Sequence, residues 1–330
     1  MNRTLTHRVF LGLVQSPLLV ILIVMVVLVE MATGSQMSWG NLRGVLLDVA
    51  VIGIVAVPVG MLLIAGYIDL SVGSTLAIGG VCAALAVKHT ESVWLGLGAA
   101  LLVGALVGAI NGLLVAVIGL SSLITTLGVL TAGRGVAQLM SPLPVSGFTP
   151  EFAFFGAGAV LGVPVPAVIA GVLFLFAGVF LIMTPRGRHV YALGVNREAA
   201  YLSGISTRLI PFALYMVSGA CAGLAGALTA ARLNSAPAGQ LGAGFELAVL
   251  TAVLIGGIAL TGGEGTMFGV LVGVLFMGLL TNSLTLLGVA TFWQNVVSGL
   301  ALVSAIIISL GTQRLRGKLL TLEAKRVATP

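Results

Sequence analysis

The sequence predicts an all-α, polytopic membrane protein with about ten transmembrane helices. Apolar residues make up 59% of the 330 residues and charged residues 7%, whereas soluble domains have about 45–50% and about 25%, respectively. Fifteen Lys and Arg and nine Asp and Glu are too few to solvate a globule of this size, so lipid must cover the apolar surface. This composition excludes a soluble enzyme, a disordered chain and a nucleic-acid-binding protein.

The apolar residues form continuous runs, each close to the roughly 20 residues that an α-helix needs to cross about 30 Å of hydrocarbon. Strands of a transmembrane barrel would instead alternate apolar and polar residues. The first run is too long for a signal peptide and lacks a small-residue cleavage site, which indicates an uncleaved helix. Two short runs bounded by glycines, 70–87 and 245–261, either span the membrane or are re-entrant. The predicted spans are 14–32, 45–65, 70–87, 93–118, 122–140, 163–183, 212–230, 245–261, 266–288 and 292–310.

The distribution of Lys and Arg predicts that both termini lie in the cytoplasm. Basic residues concentrate in cytoplasmic loops. With the amino terminus inside, the outside loops carry only Arg43, Lys88 and Arg232. The net charge of +6 is therefore a signal of topology. The inside segments carry eleven basic residues: Arg3, Arg8, Arg186, Arg188, Arg197, Arg208, Arg314, Arg316, Lys318, Lys325 and Arg326.

The sequence predicts a single transmembrane domain, 1–330, whose residues 311–330 form a cytoplasmic tail. Two of the connections between predicted spans are longer than the others. The outside segment 141–162 is rich in Pro, Gly and Phe. The inside segment 184–211 has four Arg and a helix-like centre at 197–202, framed by glycines. Composition leaves two interpretations of 184–211: a docking element for a cytoplasmic partner, or a solvated basic loop near anionic lipid headgroups.

A weak internal repeat relates residues 63–73 to residues 254–263. In both, an apolar strip ends at glycines, a Leu-Ser or Leu-Thr step follows, and another apolar span begins. Transporters are often built from such repeats, with interrupted helices lining the pathway. Chance similarity between glycine-rich spans is the alternative explanation.

Polar residues within the spans are candidates for the pathway of a neutral polyol or sugar. Charged residues inside a membrane are rare. Asp69 is either a helix N-cap, with Ser71 as a competing cap, or part of a pathway. Arg134 is expected to pair with a carboxylate, such as Asp48 or Glu246, or with backbone carbonyls. Uncharged polar residues serve either as interhelical contacts or in ligand binding. The candidate pathway residues are Asp69, Ser71, Asn111, Thr125, Thr126, Gln138, Asn282, Gln294 and Asn295.

Glycines spaced by four residues occur in three predicted spans. They lie at 104, 108 and 112, at 219 and 223, and at 269 and 273. Such stripes let two helices approach closely. Packing within the chain is favoured over dimer formation.

Several motifs are missing from the sequence. It has no G-x-x-x-x-G-K-[ST] for ATP binding and no HExxH, CxxC or GxSxG, and the two cysteines indicate neither a disulfide framework nor a metal site. The chain is therefore expected to be neither an enzyme nor a cofactor-binding protein.

Seven stretches in order resemble the permease subunits of ABC importers for ribose, xylose, related monosaccharides and autoinducer-2. The resemblance covers nearly the whole chain, and the seven together are specific although each alone is not. The stretches are IDLSVGS (68–74), NGLLVA (111–116), ITTLGVLTAGRGVAQL (124–139), GRHVYALGVNREAAYLSGI (187–205), SGACAGLAGAL (218–228), GGIALTGGEGTMFG (256–269) and LLGVATFWQNVVSG (286–299).

The resemblance implies ten spans, a permease dimer, a cytoplasmic ATPase in two copies and a periplasmic or lipid-anchored sugar-binding protein. It also implies that 184–211 couples the permease to the ATPase, through Arg197, Glu198, Ala199, Ala200, Ser203 and Gly204. Tyr67, Val195 and Glu264 depart from the family's usual residues, which leaves the sugar and the choice between homodimer and heterodimer open. The alternative functions are an ion-coupled secondary carrier, which would work without an ATPase, and a channel, which would need no binding protein.

Overall fold

The computed structural model describes residues 17–290, 292–294, 296–304 and 306–307. These residues are almost entirely helical, as expected for an all-α membrane protein. The helices are α1 (Pro17–Thr33), α2 (Trp39–Ile64), α3 (Val72–Thr90), α4 (Val93–Gly112, continued by the π-helical Leu113–Ile118), α5 (Ser122–Met140), α6 (Pro150–Ala157), α7 (Val165–Met183), α8 (Pro185–Val195), α9 (Arg197–Leu202), α10 (Leu209–Leu233), α11 (Phe245–Ile255) and α12 (Met267–Leu286). Further helical residues lie at 292–294, 296–304 and 306–307.

Four two-residue strands form two small antiparallel ladders. They are β1 (Val145–Ser146), β2 (Ala159–Val160), β3 (Val163–Pro164) and β4 (Ser235–Ala236). Strand β1 pairs with β4, and β2 pairs with β3. The first ladder joins the loop that follows α5 to the loop that follows α10.

Seven helices in the described part of the chain are long and apolar enough to cross a membrane. They are α2, α3, α4 with its π-helical extension, α5, α7, α10 and α12, and each coincides with one predicted span. The predicted count of ten is not confirmed. The predicted span 14–32 is described only from residue 17 and 292–310 only in part, while α11 ends at Ile255, short of residue 261.

The centre of the bundle is formed by α10 packed against α3 and α4. The glycine stripes of α4 and α10 face each other: a methyl group at Gly104 would overlap the Gly219 carbonyl, and one at Gly223 would overlap the Ala100 carbonyl. The glycines of α12 approach α11 in the same way. These stripes therefore serve packing within the chain, as the sequence favours.

Helices α2 and α11 end in the same motif, which gives the predicted repeat a structural basis. In α2, Gly66 has φ +83° and Tyr67 N donates to Leu62 O over 2.9 Å. In α11, Gly257 has φ +87° and Ile258 N donates to Val253 O over 3.4 Å. Both are Schellman caps, which favour glycine at the left-handed position.

Helix α11 is too short to cross a membrane alone. Its 11 residues rise about 16 Å at 1.5 Å per residue, about half of the hydrocarbon thickness. By contrast α3, the other short predicted span, is a full helix of 19 residues. In the described part of the chain, the helical backbone stops after each of the two Schellman caps. It resumes at Val72 and at Met267. We call residues 65–71, between α2 and α3, and residues 256–266, between α11 and α12, the interrupted regions.

Contacts between loops define two ends of the bundle. At the α6 end, Lys88 Nζ donates to Ser146 O over 3.2 Å, and Phe148 N donates to Asn234 Oδ1 over 2.9 Å. At the α9 end, Gly263 N donates to Ile64 O over 2.7 Å, which joins the two interrupted regions. The predicted loops 141–162 and 184–211 therefore lie at opposite ends.

Candidate functional site

Asp69 lies in the first interrupted region and is the centre of a buried polar cluster. Its side chain is 2% exposed. Oδ1 accepts hydrogen bonds from the backbone N of Ser71 at 3.0 Å and from Ser71 Oγ at 2.7 Å, and Oδ2 accepts one from Ser218 Oγ at 2.7 Å. The carboxyl group thus accepts three hydrogen bonds, two from Ser71 and one from Ser218.

The structure places Ser71, and not Asp69, at the N-cap of α3. Ser71 occupies the capping position of α3, but its side chain accepts no hydrogen bond from the first turn of the helix. Its hydroxyl bonds Asp69 instead, and Asp69 bonds Ser71 itself rather than α3. The carboxylate thus shapes the turn that leads into the helix.

Helices α4 and α5 complete the cluster. Asn111 Nδ2 donates to Ser71 Oγ over 2.7 Å, and Leu70 N donates to Thr126 Oγ1 over 3.1 Å. Asn111 and Thr126 are both fully buried. Because buried non-helical backbone needs hydrogen-bond partners, Thr126 gives Leu70 N the acceptor that a helical turn would have supplied, and Asn111 holds the Ser71 hydroxyl.

Two residues of α10 in this cluster were not among the candidates: Ser218 and Tyr215. Tyr215 Oη donates to Ile68 O over 2.9 Å. Both residues lie in or near a run of glycine and alanine that reads as a packing helix. The only sequence signal for them is that they are polar within a long apolar span.

The other predicted pathway residues lie outside the cluster. On α5, Thr125 is half-buried and Gln138 is exposed. Asn282 exchanges two hydrogen bonds with Asn41, of 2.9 and 2.8 Å. Gln294 Nε2 donates to Thr285 Oγ1 over 3.2 Å. Asn295 lies outside the described residues. The structure therefore brings together Asp69, Ser71, Asn111 and Thr126, and these four lie apart from Gln138, Asn282 and Gln294.

One face of α5 is exposed and has room for another helix. Exposed residues recur on it at helical spacing: Gly128, Thr131, Gly135 and Gln138. A methyl group at either glycine would meet no atom within 4 Å. This stripe is small and partly polar, while large apolar residues such as Ile124 and Leu139 are also exposed on α5.

Arg134, in the middle of α5, is held by the loop that precedes α11. Its Nη1 donates to Leu241 O over 2.6 Å, and its Nη2 donates to Gly242 O. Nη2 also lies 3.6 Å from Glu246 Oε2. Of the two partners proposed from the sequence, Glu246 is therefore correct, while Asp48 pairs with Arg232 over 2.6 Å.

The segment 184–211 folds into two short helices at the α9 end. Helix α9 spans Arg197–Leu202, as the sequence predicts, and Asn196 caps it by accepting from Ala199 N at 3.0 Å. Helix α8 was not predicted. An open cleft of about 480 Å³ beside α9 is lined by Arg197, Tyr201 and Gly204 to Arg208.

Most of the predicted coupling residues are exposed on α9 and the turn after it. These are Arg197, Glu198, Ala199, Ser203 and Gly204. Ala200 is 4% exposed and faces the bundle, so it offers no surface to a partner. The exposed set combines small side chains with one basic and one acidic group.

Residues 41–306 match the protein family described as the permease component of branched-chain amino acid transport systems. The ribose import permease protein of Escherichia coli K12 is 38% identical over 301 residues, which cover 90% of this chain and 94% of the relative. The L-arabinose ABC transporter permease protein of Azospirillum brasilense is 38% identical and covers 86% of each chain. The D-allose transport system permease protein of E. coli K12 is 38% identical over 74% of this chain and 75% of the relative. No solved structure matches the chain.

Proposed function

This chain belongs to the family of ABC-transporter permease components, and from that premise we propose that it forms the membrane pathway of an importer for a monosaccharide or a related polyol. The observation that carries the proposal is the likeness to ribose, arabinose and allose permeases over most of the chain. Ribose, arabinose and allose are all neutral, hydroxyl-rich molecules. Uncharged hydrogen-bonding groups between apolar walls suit such ligands.

The chain supplies a route and a connection to an energy source rather than covalent chemistry. Its sequence lacks a P-loop, so the proposal places ATP hydrolysis on a separate cytoplasmic subunit. A periplasmic or lipid-anchored binding protein would deliver the sugar and set its identity. Both partners are inferred from the family, whose members are permease components, and from the relative that is named as an ABC transporter permease.

Helix α9 is the proposed contact with the ATPase, which gives segment 184–211 its role as the coupling segment. Its exposed small residues, Ala199, Ser203 and Gly204, permit close docking in a groove, as a helix-in-groove contact requires. Arg197 and Glu198 would then set the register of docking. Support comes from the exposure of α9 and from the cleft beside it.

The proposed pathway runs between this chain and a second permease, with α5 at its wall. Thr125 and Gln138 lie on α5, whose exposed glycines leave room for another helix to approach closely. The buried cluster of Asp69, Ser71, Asn111 and Thr126 would hold α5 in place on the side away from the pathway. Asn282 and Gln294 are proposed to contribute nearer the α6 end, and Asn295, which lies outside the described residues, stays a candidate from the sequence.

The proposed orientation places the α9 end and both termini in the cytoplasm of a bacterium, with residues 311–330 as a cytoplasmic tail that lies outside the described residues. The eleven basic residues of the inside segments support it. The α6 end would then face the binding protein.

Reconstitution tests the proposal. The permease is placed in proteoliposomes with its ATPase and binding protein, and uptake of labelled ribose, arabinose and allose is measured with and without each component. Uptake of at least one sugar should require ATP, the ATPase and the binding protein together. Uptake driven by an ion gradient without the ATPase would show a secondary carrier, and conduction without the binding protein would show a channel.

A further inference from the structure

Three backbone segments meet at the α9 end in what we call the glycine junction, formed by Ile64, Gly66, Gly194, Gly262 and Gly263. Gly263 N donates to Ile64 O over 2.7 Å. A methyl group at Gly194 would overlap both Ile64 O and Gly263 N, and one at Gly262 would lie 2.9 Å from Gly66 Cα. No side chain separates the three segments, so none can move alone without a clash or a gap.

The three segments are the two interrupted regions and the end of α8. Ile64 and Gly66 belong to the Schellman cap of α2, where region 65–71 begins. Gly262 and Gly263 lie in region 256–266, which follows the equivalent cap of α11. Gly194 is two residues before Asn196, the cap of α9. The junction therefore joins the proposed coupling helix to both members of the repeat.

A side-chain hydrogen bond joins α8 to the second interrupted region independently of the glycines. Tyr191 Oη donates to Gly265 O over 2.9 Å. Burial raises the pKa of Tyr191 above its usual value, so its hydroxyl remains protonated at physiological pH and throughout the mildly alkaline range. This donor is available under all conditions in which transport would be measured.

A cation–π contact joins α9 to the first interrupted region. The guanidinium carbon of Arg197 lies 5.9 Å from the ring centroid of Tyr67. The Tyr67 ring in turn packs edge-on against Tyr215, with centroids 6.3 Å apart, and Tyr215 bonds Ile68 O. Tyr67 is one of the positions where the chain departs from the family's usual residues, and its ring connects α9 to the buried cluster.

We propose that the glycine junction, with Tyr191 and Arg197, makes α8 and α9 one rigid connection that moves both interrupted regions together when the ATPase displaces α9. This inference rests on the proposed function. It identifies Gly194 and Tyr191 as positioning residues that act through regions 65–71 and 256–266. Neither residue touches the sugar or the ATPase; each fixes how far the interrupted regions follow α9.

The test compares Gly194→Ala and Tyr191→Phe in the complete complex of permease, ATPase and binding protein. Gly171→Ala is the matched control, because a methyl group at this exposed glycine of α7 meets no atom within 4 Å. For each variant, sugar uptake per ATP hydrolysed, stimulation of the ATPase by loaded binding protein, and co-purification of the ATPase are measured. Melting of the purified permease reports on folding.

Gly194→Ala should retain the ATPase on purification but lose at least tenfold in sugar uptake per ATP. Tyr191→Phe should lose severalfold in the same ratio with little change in melting temperature, and Gly171→Ala should match the wild type. A purely structural role would lower yield or melting temperature and leave uptake per ATP of the folded complex unchanged, which overturns the proposal.

Two further outcomes are also decisive. If Gly194→Ala does not fold, the test depends on Tyr191→Phe. A Tyr191→Phe variant that takes up as much sugar per ATP hydrolysed as the wild type refutes the inference. If the wild-type chain neither binds an ATPase nor transports with one, the proposed function has failed rather than the junction, and the wild-type arm shows this before any variant is compared.

Discussion

Ser218 Oγ donates a hydrogen bond of 2.7 Å to Asp69 Oδ2 across 149 residues of sequence. The bond connects the middle of α10 to the first interrupted region, and both side chains are buried. A buried carboxyl group depends on such donors, because each lost hydrogen bond leaves a buried polar atom unsatisfied.

Ser218→Ala should lower the stability of the permease. Removing one donor to a buried carboxylate costs about 1–3 kcal/mol in the free energy of unfolding. The melting temperature of the detergent-purified protein is the measurement. Thr131→Val is the control, since Thr131 is an exposed residue whose hydroxyl bonds only the Leu127 carbonyl of its own helix. Equal decreases in melting temperature in Ser218→Ala and Thr131→Val would show that the hydrogen bond to Asp69 does not stabilise the fold more than an exposed one.

Arg134→Leu should destabilise the chain more than Glu246→Gln does. Without Arg134, the half-buried Glu246 carboxylate has no cation and two carbonyls lose their donor, a loss of about 3–5 kcal/mol by analogy with broken buried ion pairs. With Glu246→Gln, Arg134 still binds Leu241 O and Gly242 O. Thermal unfolding of the two variants checks the order.

The double variant Arg134→Leu with Glu246→Leu isolates the ion pair. Replacing both charges removes the unpaired carboxylate, so the double variant should be more stable than Arg134→Leu alone. If the two destabilisations simply add, the two side chains are not coupled.

Ala199→Trp should abolish coupling without unfolding the permease. Ala199 is exposed on α9, so an indole there blocks close docking but disturbs no core. Expected results are normal expression, loss of sugar uptake and an ATPase that no longer responds to loaded binding protein. Leu175→Trp, on the exposed face of α7, controls for the added bulk, and normal uptake by Ala199→Trp would remove α9 from the docking surface.

The single-cysteine variants Ser206→Cys and Leu161→Cys should be labelled from opposite sides of the membrane. Ser206 follows α9 and Leu161 lies fully exposed in the turn between β2 and β3, at the other end of the bundle. In both variants Cys82 and Cys221 are replaced by Ala. A maleimide that cannot cross the cytoplasmic membrane is added to intact cells. It should label the Leu161→Cys variant in intact cells and the Ser206→Cys variant only after the cells are lysed. The reverse result would invert the proposed orientation.

The sequence predicted the helices of this chain well because lipid imposes one simple rule on length and composition. Seven described helices coincide with predicted spans, and α9 begins and ends at the predicted residues. The positive charge of Arg134 inside α5 predicted a partner, and Glu246 is that partner. Each of these features follows from local composition or from the cost of a buried charge.

What the sequence missed depends on contacts between distant segments. Hydropathy did not show that α11 ends at Ile255, because the glycines that follow it are also common within membrane helices. Ser218 was overlooked since its partner Asp69 lies on another helix, and Ala200 was expected on the docking surface although the bundle buries it. Of the eight candidate pathway residues that the structure describes, only Asp69, Ser71, Asn111 and Thr126 converge, because the fold alone decides which helix faces meet.

The direct backbone contact between α4 and α10 divides the molecule into a frame and moving parts. Two helices that touch through glycine have no intervening layer of side chains to rearrange, so this pair fits together in one way only. We therefore expect α4 and α10 to stay fixed during a transport cycle, like a stator. We expect the displacement to fall on helices outside this pair, such as α5, whose Arg134 donates to the carbonyls of Leu241 and Gly242 in the loop before α11.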